Sequence, residues 1–249
     1  MTNPVLVDEL ENLSFAGRFQ IVESHPTVLV CGHLAGTVLF GGERSLVDLL
    51  DGFIAIHFNT IVVLPNPVNN KYLEAILART VQVYTFAIPL RNACNDLNEI
   101  VILKFERLIN SHRINAVHAN TITLREPLIA ARRCKIPAIV HAREIVSHDP
   151  DLCRWMGTTP EAITESILEE ADYIIANSCA TATCFPTLGR TSIVPNCVDL
   201  SDFIVDRHET NTPVRVALIG NTSIRKKGIN NFIEVARLLE NKTHRLSLS

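Results

Sequence analysis

The stretch Ile136–Glu144, which reads IPAIVHARE, constrains the fold of this chain more than any other. Its first half is a continuous apolar run, and such runs are typical of strands covered on both faces in a parallel sheet. Three polar side chains, His141, Arg143 and Glu144, follow the run at once. Because open α/β sheets bind ligands at the carboxyl ends of their strands, we expect a functional site here. The alternative is that His141 is a solvated loop residue and that Arg143 simply pairs with Glu144.

Strand-like and helix-like segments alternate along the rest of the chain. Parallel strands need crossover connections, so the alternation predicts an α/β domain with a parallel sheet and right-handed connections. Residues 147–157 are predicted to form a loop. The predicted strands are Thr27–Cys31, Ile56–Leu64, Val81–Phe86, Ile114–Ala119, Ile136–Val140, Tyr173–Ala176 and Ser192–Val194. Helices are predicted over Asn69–Arg79, Asn95–Ser111, Leu124–Cys134, residues 160–171 and the start of 180–188.

The strand Thr27–Cys31 leads into a glycine-containing loop that ends in Gly41 and Gly42, and an amphipathic helix follows. This layout directs the backbone N–H groups of a helix N-terminus at an anion. The glycine spacing does not match the dinucleotide-binding fingerprint. The alternative is a turn whose glycines only allow close packing of the helix on the strand.

A polar stretch without apolar pattern, residues 206–213, predicts a linker. Beyond it, a strand over Val214–Ile219, a basic loop and a helix over Ile229–Leu239 form a new unit. One strand and one helix cannot bury their own faces, so we expect the sequence to be cut inside a second domain. The predicted division is an N-terminal extension (1–24), a Rossmann-like domain (25–205), the linker (206–213) and a truncated second Rossmann-like domain (214–249).

Composition limits the classes of function. The 249 residues are 47% hydrophobic with a net charge of −3, which argues against disorder and against nucleic-acid binding. No apolar run approaches the roughly 20 residues of a membrane helix, and the acidic N-terminus does not resemble a signal peptide. The seven scattered cysteines lack zinc-site spacing and predict free thiols in a reducing, cytoplasmic compartment. Peripheral membrane association and a homodimer through residues 214–249 are left open.

Five stretches resemble the N-terminal part of a GT-B glycosyltransferase of the retaining group often called group 1 or family four. They are GGERSLVDLL (41–50), VHANT with LIAARRCKIP (117–121 and 128–137), VHARE (140–144), ADYIIANSCATATCF with IVPNCVDLSDF (171–185 and 193–203) and VALIGNTSIRKKGINNFIEVARLL (216–239). The resemblance implies two Rossmann-like domains around a cleft, the first mainly for the acceptor and the second for a nucleotide-sugar donor. It further implies sugar transfer with retention of configuration, without a metal or another cofactor.

The resemblance also assigns residues. Gly41 and Gly42 match a glycine loop beside the donor phosphates. His141 matches a catalytic histidine that approaches the transferred sugar. Asn120, Arg143 and Glu144 are expected to bind substrate. Lys227 matches a lysine that neutralises the donor diphosphate, whereas Asn221 replaces a common arginine, for which Arg225 or Lys226 could substitute.

Other readings stay open at this level. A GT-B nucleotide-sugar epimerase would share the fold, and a non-enzymatic Rossmann-like binding module would share the first domain. The acceptor could be a polysaccharide, a lipid-linked sugar or a protein. The family's paired glutamates are not in the sequence, and one strand and one helix represent the donor domain. We therefore expect little or no transferase activity from the chain alone.

Overall fold

The computed structural model describes residues 13–33, 41–66, 68–187, 189–198, 200, 216–219 and 228–240. Within these residues the strands form one eight-stranded sheet in the order β1-β4-β3-β2-β5-β6-β7-β8. The strands are β1 (Leu13–Ala16), β2 (Thr27–Cys31), β3 (Asn59–Pro65), β4 (Gln82–Phe86), β5 (Ala116–Ala119), β6 (Ala138–Ala142), β7 (Tyr173–Ala176) and β8 (Thr191–Ile193). The helices are α1 (Gly41–Ala55), α2 (Asn70–Leu77), α3 (Glu99–Ser111), α4 (Glu126–Arg133), α5 (Pro150–Met156), α6 (Pro160–Glu170), α7 (Cys179–Ala182) and α8 (Ile229–Glu240).

The sheet is parallel except at one edge. Strands β2 to β8 pair in parallel, whereas β1 pairs antiparallel with β4. The predicted α/β class with a parallel sheet is therefore confirmed. After β2, strands β3 and β4 are added on one side of it, and β5 to β8 are added on the other side. The direction in which strands are added therefore reverses between β2 and β5. Ligands of such sheets bind at this switch point.

Two apolar layers cover the sheet. Alternate residues of β2, such as Val28 and Val30, pack with Leu46 and Leu50 of α1. The intervening Leu29 and Cys31 join a larger core against α3, α4 and α6. Side chains that alternate between two buried faces explain why the strands read as continuous apolar runs.

Local capping signals set several helix bounds. The side chain of Asn69 accepts a hydrogen bond from the backbone N–H three positions further along the chain. The side chains of Asn98, Thr159 and Ser178 cap other helices in the same way. The predicted loop 147–157 is wrong, since a short 3-10 helix (Val146–His148) and α5 occupy it. Asp149 caps α5, Pro150 is its first residue, and Gly157 ends it at φ +70°. The sequence therefore contained the residues that start and stop a helix, although the helix is only seven residues long.

The predicted N-terminal extension, 1–24, contributes a strand to the sheet. Its part from Leu13 onward lies in the described residues, and Leu13–Ala16 pairs with β4. The short edge strand lacks the long apolar run that marks the central strands, which is why its sequence gave no strand signal.

Contacts between Cα atoms divide the chain into two units, Met1–Asp199 and Leu200–Ser249. In the second unit, α8 agrees with the predicted helix. The strand predicted over Val214–Ile219 is not seen in residues 216–219, which pair with no strand among the described residues. The linker 206–213 and the predicted phosphate-binding residues Asn221, Arg225 and Lys227 lie outside the described residues.

Candidate functional site

A cavity of about 440 Å³ lies at the carboxyl ends of the strands around the switch point. Five of the predicted site residues line it together: Gly41, Gly42, Asn120, Arg143 and Glu144. They come from three separate segments of the chain, the start of α1, the end of β5 and the end of β6. The other lining residues are His33, Leu90, Thr121, Thr123, Asn177 and Asn196.

Arg143, the first residue after β6, ties these segments together. Its Nη1 donates to the backbone carbonyl of Gly42 (3.3 Å) and to the hydroxyl of Ser45, both on α1. Its Nη2 donates to Oδ1 of Asn120 at 2.6 Å. Burial lowers the pKa of the guanidinium, and nearby acids led by Glu144 act in the opposite direction. An arginine keeps its charge under such conditions, so the cavity holds a positioned cation.

Several hydrogen-bond donors around Arg143 have no partner among the described residues. They include Nε of Arg143 itself and Nδ2 of Asn120, a residue only 1% exposed. Leaving a buried donor unpaired costs about 1–3 kcal/mol. Such groups beside a cavity are the arrangement expected for a ligand that supplies oxygen acceptors.

His141 lies behind Arg143 rather than in the cavity wall. It is the fourth residue of β6, is 7% exposed and does not line the cavity. Its Nδ1 is 3.4 Å from Nη2 of Arg143. Because arginine can only donate, Nδ1 accepts and Nε2 carries the hydrogen of the neutral ring.

The expectation that His141 follows its strand and faces the cleft is therefore not met. The strand extends to Ala142, two residues beyond the predicted end. Alternation along the strand then places the ring on the α1 side of the sheet. The alternative of a solvated histidine is also wrong, because the ring is buried.

A second histidine stands beside the first inside the domain. His118 of β5 meets His141 edge to face at 5.7 Å and Phe53 of α1 at 6.1 Å. Burial, then the charge of Arg143, lowers the pKa of His141 to about 4. Burial, then His141 and Arg143, lowers the pKa of His118 to about 3. Both rings are neutral at neutral pH and support Arg143 without competing charge.

Helix α1 begins at the cavity. Gly41 is its first residue, so the N–H groups of its first turn, which have no acceptor within the helix, lie beside Arg143. The helix dipole makes this end attractive to anions. Residues 34–40, which precede it, lie outside the described residues.

The sequence reading missed two residues at this site, His33 and Glu43. His33 lines the cavity two residues after β2, and its Nε2 is 3.6 Å from a carboxylate oxygen of Glu43. Glu43, in the first turn of α1, is 2% exposed. His33 lies two residues after a predicted strand, which was an available signal, but its proximity to Glu43 depends on how the loop folds.

No group of three or more His, Cys, Asp or Glu side chains in the described part of the chain is arranged to hold a metal ion. The seven cysteines are free thiols. None of the helices in the described ranges is long and apolar enough to cross a membrane.

The sequence model of glycosyltransferase family 4 matches residues 41–202, well over half of the 249 residues. The chain belongs to glycosyltransferase family 4. The matched range begins at the first residue of α1 and includes Asn120, Arg143 and Glu144. No curated protein matches the sequence.

Solved structures show that this family 4 chain has the fold of one Rossmann-like half of a GT-B protein. Anabaena HepE, solved with UDP and glucose, is 20% identical with a TM-score of 0.51, over 71% of this chain and 46% of HepE. S. aureus MnaA, solved with UDP, is 13% identical with a TM-score of 0.51, over 75% of this chain and 50% of MnaA. The chain thus spans about half the length of these proteins.

Proposed function

We propose that the protein transfers a sugar from a nucleotide-sugar donor to an acceptor with retention of configuration. The observation that carries the proposal is the fixed position of Arg143, held by Gly42, Ser45 and Asn120 beside the N-terminus of α1. Family membership adds the class of reaction. Because HepE and MnaA were solved with UDP, a uridine diphosphate sugar is the first donor to test.

The chemistry of sugar transfer suits this cavity. When the bond between the sugar and the diphosphate breaks, negative charge grows on the phosphate oxygens. A positioned guanidinium and a helix N-terminus stabilise such charge, most strongly where water is excluded. They are already in place here, so little reorganisation is needed as the bond breaks.

The unpaired donors complete the proposal. Nδ2 of Asn120 and Nε of Arg143 would reach oxygen atoms of the sugar or of the phosphate. The predicted catalytic role of His141 stays a proposal, and contact between its unpaired Nε2 and the transferred sugar would require a shift of the ring, which is buried and does not line the cavity. Its burial also gives it a second role, since its Nδ1 helps to orient Arg143. Asn221, Arg225 and Lys227 remain proposed contacts of the donor phosphates, by the family resemblance.

The 249-residue chain alone is proposed to turn over little donor. It covers only 46% of the length of HepE. Much of the binding energy that positions a donor for reaction would come from elements outside that share. Activity is therefore measured on the full-length protein.

The test is release of nucleoside diphosphate by the full-length protein from a panel of UDP-, GDP- and ADP-sugars. Mixtures of simple sugars, lipid-linked sugars and peptides serve as acceptors, and NMR identifies the anomeric configuration of the product. We expect Arg143→Ala to lower kcat by about 100-fold or more, the scale of losing one positioned electrostatic group. Arg154→Ala, an exposed arginine of α5, is the matched control and should keep wild-type turnover.

Two results would contradict the proposal. Conversion of the donor to an epimer without any acceptor would show the epimerase alternative instead. Wild-type turnover by Arg143→Ala would show that the cavity is not the reaction site. An inverted product would remove the retaining part of the proposal while leaving sugar transfer intact.

A further inference from the structure

Ser45, the fifth residue of α1, has a side chain that the helix itself does not need. Inside a helix, serine is a poorer former than alanine and tends to bond back to the preceding turn. Its hydroxyl does so here, donating to the backbone carbonyl of Gly42 at 3.0 Å. A hydroxyl has a single hydrogen, so its lone pairs stay free for another donor. Nη1 of Arg143 is that donor.

Within the described part of the chain, four acceptors contact the terminal nitrogens of Arg143, which together carry four N–H groups. On the α1 side, Nη1 donates to Gly42 and to Ser45. On the strand side, Nη2 donates to Asn120 at 2.6 Å and to His141 at 3.4 Å. Without the Ser45 hydroxyl, Nη1 would keep the Gly42 carbonyl at 3.3 Å as its contact on α1. Ser45 therefore decides how firmly α1 holds this end of the guanidinium.

The first turn of α1 and Arg143 have charges of the same sign. A helix N-terminus carries the equivalent of roughly half a positive charge, and the guanidinium carries a full one. Left to themselves, the two would repel each other. Oxygen acceptors on the helix make the contact attractive, because hydrogen bonds from a charged donor are stronger than those between neutral groups. The Ser45 hydroxyl is such an acceptor, and it keeps two groups that both favour an anion at one cavity.

We propose that Ser45 is a positioning residue, which holds the charge of Arg143 beside the first turn of α1 while the diphosphate leaves. Ser45 does not line the cavity, so it acts through Arg143 and not on the substrate. The inference rests on the proposed function, because the position of this charge affects the rate only if negative charge grows in the cavity.

The first experiment needs no substrate and uses the 249-residue chain labelled with ¹⁵N-arginine. ¹H–¹⁵N NMR measures rotation about the Cζ–Nη1 bond, which hydrogen bonds to Nη1 slow down, and Arg143→Lys identifies the signals. We expect rotation in Ser45→Ala to be faster than in wild type by about 10-fold or more, the scale of one lost hydrogen bond to a charged group. Equal rates in the two proteins would overturn the proposal.

The second experiment measures steady-state kinetics of the full-length protein with the donor and acceptor that the wild type uses. Ser45→Ala should lower kcat by about 10-fold with KM changed about twofold or less, because the contact matters most as charge grows in the transition state. In an Arg143→Ala background the same substitution should cause no further loss, since no guanidinium remains to be held. A wild-type kcat in Ser45→Ala, or equal losses in both backgrounds, would overturn the proposal.

Ser111→Ala is the matched control. Ser111 lies in α3, and its hydroxyl also donates to the backbone carbonyl three residues earlier, that of Leu108, at 3.3 Å. In the described ranges no hydrogen bond joins this hydroxyl to an arginine or a lysine. Ser111→Ala should therefore keep wild-type kcat, and a loss as large as that in Ser45→Ala would overturn the proposal.

A separate result would count against the proposed function itself. Absence of turnover by the wild type with every donor would contradict sugar transfer. The rotation measurement would still decide whether Ser45 holds the guanidinium of Arg143, because it needs neither donor nor acceptor.

Discussion

Glu170 is the centre of a buried charge network that should dominate the stability of the first unit. Glu170 is 4% exposed, and its carboxylate accepts from Nη2 of Arg91 (2.6 Å), Nε of Arg125 (2.6 Å) and the hydroxyl of Ser166 (3.2 Å). The side chain of Arg91 is itself only 7% exposed. Glu170→Gln would leave a buried guanidinium without its counter-charge and would turn an amide NH₂ toward existing donors.

The expected loss of unfolding free energy follows from removing one partner of a buried ion pair while the other partner stays. Such changes cost about 3–5 kcal/mol, because an uncompensated charge stays behind. For a unit of this size each kcal/mol lowers Tm by roughly 2–4 °C. We therefore expect Glu170→Gln to lower Tm by roughly 6–20 °C. The loss also bears on function, because Nε of Arg91 donates to the carbonyl of Ile122, which lies between the cavity-lining residues Thr121 and Thr123.

The assay is urea and thermal unfolding of the 249-residue chain, followed by fluorescence of its one tryptophan, Trp155. This residue lies in α5, so its signal reports on the first unit. Glu169→Gln is the matched control, since the neighbouring side chain is exposed and should change the free energy of unfolding by about 0.5 kcal/mol or less. A Glu170→Gln variant within about 1 kcal/mol of wild type would refute the reasoning, because the cost assigned to a buried unpaired charge would be absent.

Three further predictions concern the cavity and His141, which lies behind it. Arg143→Lys should recover only part of the activity lost in Arg143→Ala, because lysine keeps the charge but cannot reproduce the forked contacts; steady-state kinetics of the full-length protein checks this. Because His141 has a pKa of about 4 when folded and about 6.5 when unfolded, the unfolded chain alone takes up its proton between these values as pH falls. Urea unfolding should show that, between pH 7 and pH 5, wild type loses about 2 kcal/mol more of its free energy of unfolding than His141→Asn does. Equal losses in the two proteins would contradict the low pKa. Gly42→Ala should lower kcat, because its Cβ would lie 2.5 Å from Cε1 of His33 and displace the ring. The loss should be much smaller in a His33→Ala background, where there is no ring to displace, and equal losses in both backgrounds would contradict this explanation.

The sheet could be predicted because both of its faces are buried. Continuous apolar runs such as Thr27–Cys31 mark central parallel strands, and this strand has the predicted bounds. The edge strand Leu13–Ala16 has only one neighbour and little burial, so its residues carry no comparable pattern. The helix Pro150–Met156 was missed because seven residues give too few turns for a periodic signal.

The site could be predicted only in part, for reasons of strand register. The sequence correctly indicates that Asn120 and Arg143 lie at strand ends, and topology brings them within 2.6 Å. Whether a residue faces the cavity depends on where its strand stops. Two extra residues in β6 bury His141 and leave Arg143 as the first residue beyond the strand. The pairing of His33 with Glu43 depends on a loop conformation that no periodicity encodes.

The most direct test of the proposed function is a crystal structure of the full-length protein with UDP-glucose, or with the sugar nucleotide that the donor panel selects. We expect the diphosphate beside the first turn of α1, and oxygen atoms of the ligand within hydrogen-bond distance of Arg143 and of Nδ2 of Asn120. A nucleotide sugar bound elsewhere, with Arg143 and Asn120 in contact only with protein or water, would contradict the assignment of this cavity as the reaction site.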